Sequence, residues 1–306
     1  MHMGDIFTEA RIRSADRART WREGEAYRAL VATFDGVDAT DGEMVAGVAG
    51  EALRGGAAAE LVGPLIEVLA GDPWFEPPLR VSRDAARVGA VLFDHPAVTI
   101  TASVLSAATL AAAPSPASVA VSGRLTIVHY VRSGNARLRL WTAEPAGADF
   151  RQADAIPLRS LGEMQLADGM TLRLDGRVRA SLIEQAAGDV VTVAAVIRAC
   201  AAPFQREYGL PDGELLRIAT LDDGAARTQM LLTYLRHAGR ADAGQWFDAA
   251  TRDGAFFLRW AAMREWLALD ALAALPRLRA MVGDDNAEIR QAAEQTLPMV
   301  EAACQF

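Results

Sequence analysis

Lysine is missing altogether: all 31 basic residues of this 306-residue chain are arginine. That pattern is what a GC-rich coding bias would give, and the chemical consequence holds regardless of its cause. No lysine Schiff base can form, and the lysine of a phosphate-binding P-loop is absent. Cysteine is scarce too. Cys200 and Cys304 are the only two, too few for a disulfide framework, and both are expected to be buried, inert thiols. Basic charge is in deficit, with a net charge of −8 and a pI near 5.1. That excludes the phosphate-neutralising face a nucleic-acid binder needs.

Long apolar runs are absent as well. The longest weakly polar stretch, 98–113, is broken by Thr and Ser and falls short of the roughly 18 residues that span a bilayer. The opening MHMGDIFTEARIRSADRART has no apolar h-region, so no secretory signal is expected. A soluble cytoplasmic protein with no membrane partner follows as the expectation. Neither GxSxG nor GxGxxG occurs, and no Cys has a His beside it, so nucleophilic catalysis and dinucleotide binding have no signal here. Only four His are present, one of them His2.

What is present is a large apolar share, 51%, enough for a sizeable core. Residues 118–221 read as short strands cut by turns. Leu125, Ile127, His129 and Val131 alternate with Thr126, Val128 and Tyr130, a period-2 pattern with two distinct faces. The first set is taken as the inward one. Ser133-Gly134-Asn135, Asp175-Gly176, Gly188-Asp189 and Pro211-Asp212-Gly213 supply turn residues that tolerate positive φ. VVTVAAVIR, apolar on both faces, reads as a central strand covered on both sides. Strands of this length and spacing make an antiparallel barrel or sandwich.

Before this block the sequence reads as helices. Tyr27, Leu30, Val31 and Phe34 form one stripe, and Asp41 starts a helix with an acidic first turn that suits the helix dipole. A further helix is expected over 83–91 and a strand over 98–105. The Trp74-Phe75-Glu76-Pro77-Pro78 cluster reads as a packed connector. Residues 145–154 form the longest loop leaving the strand core. From Gly224 on the period becomes 3.6, with Met230, Leu231, Tyr234 and Leu235 in one stripe and Asp270 as a cap. The organisation expected is therefore α+β in three parts: 1–116, helices and a first strand; 117–223, the antiparallel strand core; 224–306, helices.

Two family resemblances rest on particular stretches. The strand count and the segment LIEQAAGDVVTV, a Gly-Asp turn before an apolar strand, resemble a cupin, the small double-stranded β-helix barrel. Metal-binding cupins carry two His one residue apart, then a Glu and a later His. Here His129 is followed two places on by Val131, so the resemblance implies the barrel without its metal motif, and no cofactor is expected. The stretch LRWAAMREWLALDALAALPRLRAMVGDDNAEIRQAAEQTL resembles HEAT repeats, with Pro276, Asp285 and Arg290 in the places where that family has a proline, a turn aspartate and an arginine. That resemblance implies a surface for a protein partner or for self-association.

The residues singled out for a ligand are His129, Glu184, Arg206 and Tyr208. His129 and Glu184 are the polar residues expected on an inward strand face. With His95 or His237 they would approach the roughly three protein ligands of a catalytic metal site, although a lone His among aliphatic residues is more simply a hydrogen-bonded core residue. Arg206, in Arg206-Glu207-Tyr208, has the fork that clamps a carboxylate. It is otherwise an edge charge that discourages sheet association. The function expected is a binding or interaction protein. The alternatives are a metal-dependent oxygenase or isomerase and a small-molecule sensor whose barrel is hollow.

Overall fold

A computed structural model describes residues 3–147, 150 and 155–304. The chain divides into two compact units, Met1–Ala219 and Thr220–Phe306.

The first unit opens with four helices, α1 (Met3–Arg22), α2 (Glu25–Asp35), α3 (Gly42–Arg54) and α4 (Ala57–Gly71). Local chemistry sets their ends. The Asp41 carboxylate accepts from the Glu43 and Met44 amides at 3.0 Å, capping α3 at amides that have no partner inside the helix. Residues 3–22, within a stretch whose composition alone suggests a loosely held segment, form the long α1. Its Trp21 donates from Nε1 to the Leu61 carbonyl at 2.8 Å, tying it to α4.

The strands follow: β1 (Arg80–Arg83), β2 (Arg87–Asp94), β3 (Val98–Leu105), β4 (Ser118–Val121), β5 (Leu125–Arg132), β6 (Arg137–Thr142), β7 (Arg159–Gln165), β8 (Thr171–Asp175), β9 (Arg179–Ile183), β10 (Val190–Ile197), β11 (Phe204–Gly209) and β12 (Leu215–Thr220), with the short helix α5 (Ala107–Ala112) between β3 and β4. The helix expected over 83–91 is in fact the end of β1, a turn and the first half of β2. Asp84 makes that turn by accepting from the Ala86 and Arg87 amides, and pairing with β3 outweighs the helix propensity of the alanines.

The strands form three antiparallel sheets: one of six strands in the order β1-β2-β3-β10-β5-β8, and two of three, β12-β11-β4 and β7-β6-β9. They do not close into a barrel. VVTVAAVIR is β10, in the middle of the large sheet and paired on both sides. One face of that sheet lies under the helices, where Phe34, Val45 and Leu61 meet Phe93, Ile100, Ile127 and Ala195. On the other face Leu105, Tyr130 and Val190 meet Leu138 and Ile183 of the β7-β6-β9 sheet.

The second unit is helical: α6 (Asp223–His237), a 3-10 turn (Ala241–Ala243), α7 (Gly244–Ala250), α8 (Phe256–Leu269), α9 (Ala271–Met281) and α10 (Ala287–Ala303). Phe247, Ala262, Met263, Leu278, Met281 and Ala293 form its core. Asp270 caps α9 through the Ala273 amide at 3.0 Å. Arg259 of α8 reaches Asp284 and Asp285, in the turn before α10, at 2.8 and 2.7 Å. No helix among the described residues is long and apolar enough to cross a membrane.

Candidate functional site

The space between the large sheet and the β7-β6-β9 sheet is filled only in part. A cavity of about 1280 Å³ opens there, entirely within the first unit. Thr126, Val128 and Tyr130 of β5, Ser103 of β3 and Thr192 of β10 face it from the large sheet, and Leu138, Arg139, Ile183 and Glu184 line it from the other. Its rim carries Asp84, Arg87 and the segment 110–116.

The face expected to be inward is therefore the helix-covered one. Leu125 and Ile127 pack among the helices. His129 shares that face, since it lies opposite Val193 and Thr171 in register, and Val193 belongs to the helix-side core. Its Nδ1 is 2.9 Å from the Thr171 hydroxyl. Glu184 lines the cavity, so the two residues do not share a face. Both faces of this sheet are covered, and alternation separates two faces without saying which one the helices take.

The proposed third ligands stand elsewhere. His95 Nδ1 accepts from the Ala97 amide at 3.2 Å, which leaves Nε2 to donate to Asp35 at 3.0 Å, and its ring stacks on Phe93. His237 belongs to the second unit and contacts Arg236. Among the described residues no three His, Cys, Asp or Glu side chains are grouped so as to hold an ion. The cavity-facing positions of β3, β5 and β10 carry hydroxyls and aliphatic groups. The residues present do not fit the metal that a cupin resemblance brings to mind.

Glu184 is engaged by Arg139, whose Nη1 donates to it at 2.7 Å. The same guanidinium stands 4.9 Å from the centre of the Trp141 ring. Ser103 and Thr192 hydroxyls lie 2.9 Å apart on the opposite wall. Tyr130 is 3% exposed, and burial pushes its phenol up to about 12, with a smaller downward pull from Arg87. It stays a neutral hydrogen-bond donor at physiological pH.

Arg206 and Tyr208 are brought together, but away from the cavity. Arg206 is 1% exposed. Its guanidinium donates to the Glu144 carbonyl at 2.8 Å, the Tyr208 hydroxyl at 3.0 Å and the Arg177 carbonyl at 2.9 Å. It also faces the Phe150 ring. The edge-charge reading fails for this residue. Glu207, pointing the other way, is the one that pairs with Arg217 and Ser118. Burial raises the Tyr208 phenol above its ordinary value, with Arg206 opposing. The pair ties the loop after β6 and the β8–β9 turn to β11. Most of the 145–154 loop lies outside the described residues.

Cys200 is exposed and Cys304 half-exposed, against the expectation of buried thiols. The core strand ends at Ile197, so Cys200 falls in the following turn, at φ 54°.

Tyr130 is the residue that sequence reasoning passed over. The signal was there: a strand face of Thr126, Val128 and Tyr130 mixes hydroxyls with one aliphatic group, which suits a mixed cavity better than a dry core.

No protein-family model and no curated protein matches the chain. Solved structures similar to it include a cupin domain from Bordetella pertussis Tohama I, at 15% identity and a TM-score of 0.23, covering 39% of this chain and 99% of that one. An ectoine synthase from P. lautus is similar at 8% and 0.25, over 47% of this chain and 85% of that one. An oxalate decarboxylase from Bacillus subtilis is similar at 7% and 0.26, over 39% and 27%. At such scores these likenesses carry no functional argument for this chain.

Proposed function

We propose that the first unit is a binding module that takes a small organic molecule in the cavity between its sheets. One observation carries this: a cavity of about 1280 Å³ whose walls combine aliphatic groups with a few polar ones. Ordinary small-molecule sites occupy about 300–1,000 Å³ and have this kind of mixed lining. A sandwich interior filled by side chains would have favoured a purely structural or interaction role. Arg139 and Glu184 are compensated as a pair, so they offer hydrogen bonds to a ligand without an unpaired charge. Val128→Trp tests the proposal. It should lower binding of whatever ligand raises the unfolding temperature of the wild-type protein, while the folded state is kept. Unchanged ligand stabilisation in that variant would count against the cavity as the site.

The helical unit supports a second role in the same protein, that of a HEAT-like module offering a surface to a protein partner or another copy. Met230, Leu231 and Tyr234 project from one face of α6, Tyr234 being 68% exposed. Sedimentation of the full chain, with and without Tyr234→Asp, tests self-association through that face.

A further inference from the structure

Two groups at one end of the cavity have no side-chain hydrogen bond or ion pair among the described residues. Tyr130 is almost wholly buried, yet its hydroxyl makes no hydrogen bond to a described residue. Nor is it sealed away: among the described residues, the side-chain polar atoms shut off from solvent without a partner are Arg206 Nε and Arg259 Nε. The Tyr130 hydroxyl therefore opens onto the cavity it lines. Arg87 stands on the rim of the same cavity, opposite Leu105 in the β2–β3 register, and Leu105 packs in the same cluster as Tyr130. Its guanidinium has no ion pair or side-chain hydrogen bond among the described residues. Every other charge on the wall is answered. Arg139 and Glu184 hold each other at 2.7 Å. The Asp84 carboxylate, also on the rim, turns Oδ1 to the Ala86 and Arg87 amides at 2.9 and 2.8 Å; those bonds, with a smaller pull from the Arg87 charge, hold it below the usual carboxylate range.

A guanidinium with no ion pair among the described residues, lining one cavity with a neutral phenol donor, is a complementary setting for a carboxylate, which accepts from both. The walls leading inward from that end are aliphatic, with Leu105, Val128, Leu138 and Leu174 among them. We propose that the cavity binds monocarboxylates with an apolar body, the carboxylate held by Arg87 and the Tyr130 hydroxyl and the body lying against those aliphatic walls. This rests on the reading of the cavity as a ligand site.

Isothermal titration of the full chain with butanoate, octanoate, benzoate and 2-naphthoate, each beside its primary amide, tests it. At least one acid should bind about tenfold or more tightly than its amide, the difference made by a charged hydrogen bond. Arg87→Gln should remove about that factor for the acid and little for the amide. Tyr130→Phe should weaken the acid by several-fold. If acid and amide bind alike and both are lost in Val128→Trp, the carboxylate assignment is overturned and the cavity reading stands. If no acid or amide binds, or binding survives Val128→Trp, both are overturned.

Discussion

Replacing Arg206 sets two large effects against each other, and the geometry says which wins. The guanidinium is buried with no carboxylate partner among the described residues, and it donates to two carbonyls and a phenol. Arg206→Met removes those three bonds. Each buried acceptor left without a donor costs about 1–3 kcal/mol. Against this, the burden of desolvating a cation disappears, a relief of several kcal/mol in principle. At about 2 kcal/mol for each of the three acceptors, the loss of about 6 kcal/mol exceeds a relief of about 4 kcal/mol and leaves a net loss of about 2 kcal/mol. Arg206→Lys keeps the charge buried but has no planar fork to reach Glu144 and Arg177 together. It forfeits about two bonds with no relief, a loss of about 3 kcal/mol or more. The conservative substitution should therefore be the more damaging one. Urea unfolding of both variants, with the first unit's transition fitted by itself because two units need not unfold as one, reads the order directly. A lysine variant within about 0.5 kcal/mol of wild type, or one more stable than the methionine variant, would refute the reasoning, since surface-like substitutions fall in that range.

Two more predictions concern the turns. Gly134 has φ 55°, and a Cβ there would lie 2.0 Å from the Gly188 carbonyl oxygen. Gly134→Ala should cost about 3 kcal/mol by equilibrium unfolding, at the upper end of ordinary single substitutions, because the Gly134 carbonyl also holds the Ala187 and Gly188 amides. Asp175 is held below its ordinary value of 3.8, chiefly by the Arg177 guanidinium, with burial opposing. A depressed carboxylate adds stability that is complete above the unfolded value and drains away as pH falls through the folded one. Asp175→Asn should therefore lower stability at pH 7 and flatten the loss below about pH 4, seen as converging urea midpoints on acidification.

Much of the local structure was legible in the chain. Asp41 and Asp270 cap the helices their positions announce. Ser133-Gly134-Asn135 turns with both Gly134 and Asn135 at positive φ, and the doubly apolar VVTVAAVIR is the central strand. What could not be read was tertiary. Period-2 alternation in β5 separates Ile127 and His129 from Val128 and Tyr130, but a sheet covered on both sides gives each set a claim to the interior. The helices took the more aliphatic face, and the cavity took the face carrying Thr126 and Tyr130. Likewise Phe204-Gln205-Arg206-Glu207-Tyr208 reads as a polar strand end. Only the return of the Glu144 and Arg177 backbones over Arg206, from distant parts of the chain, explains a buried guanidinium there.

The cavity as a ligand site is tested most directly by following methyl resonances of the full chain in NMR as octanoate is added. Shifts should appear at Leu105, Val128, Leu138 and Leu174, which border the cavity, and not at Leu61 or Ile100, on the helix side of the sheet. Movement confined to the helix-side methyls, or none up to saturating octanoate, would contradict the account.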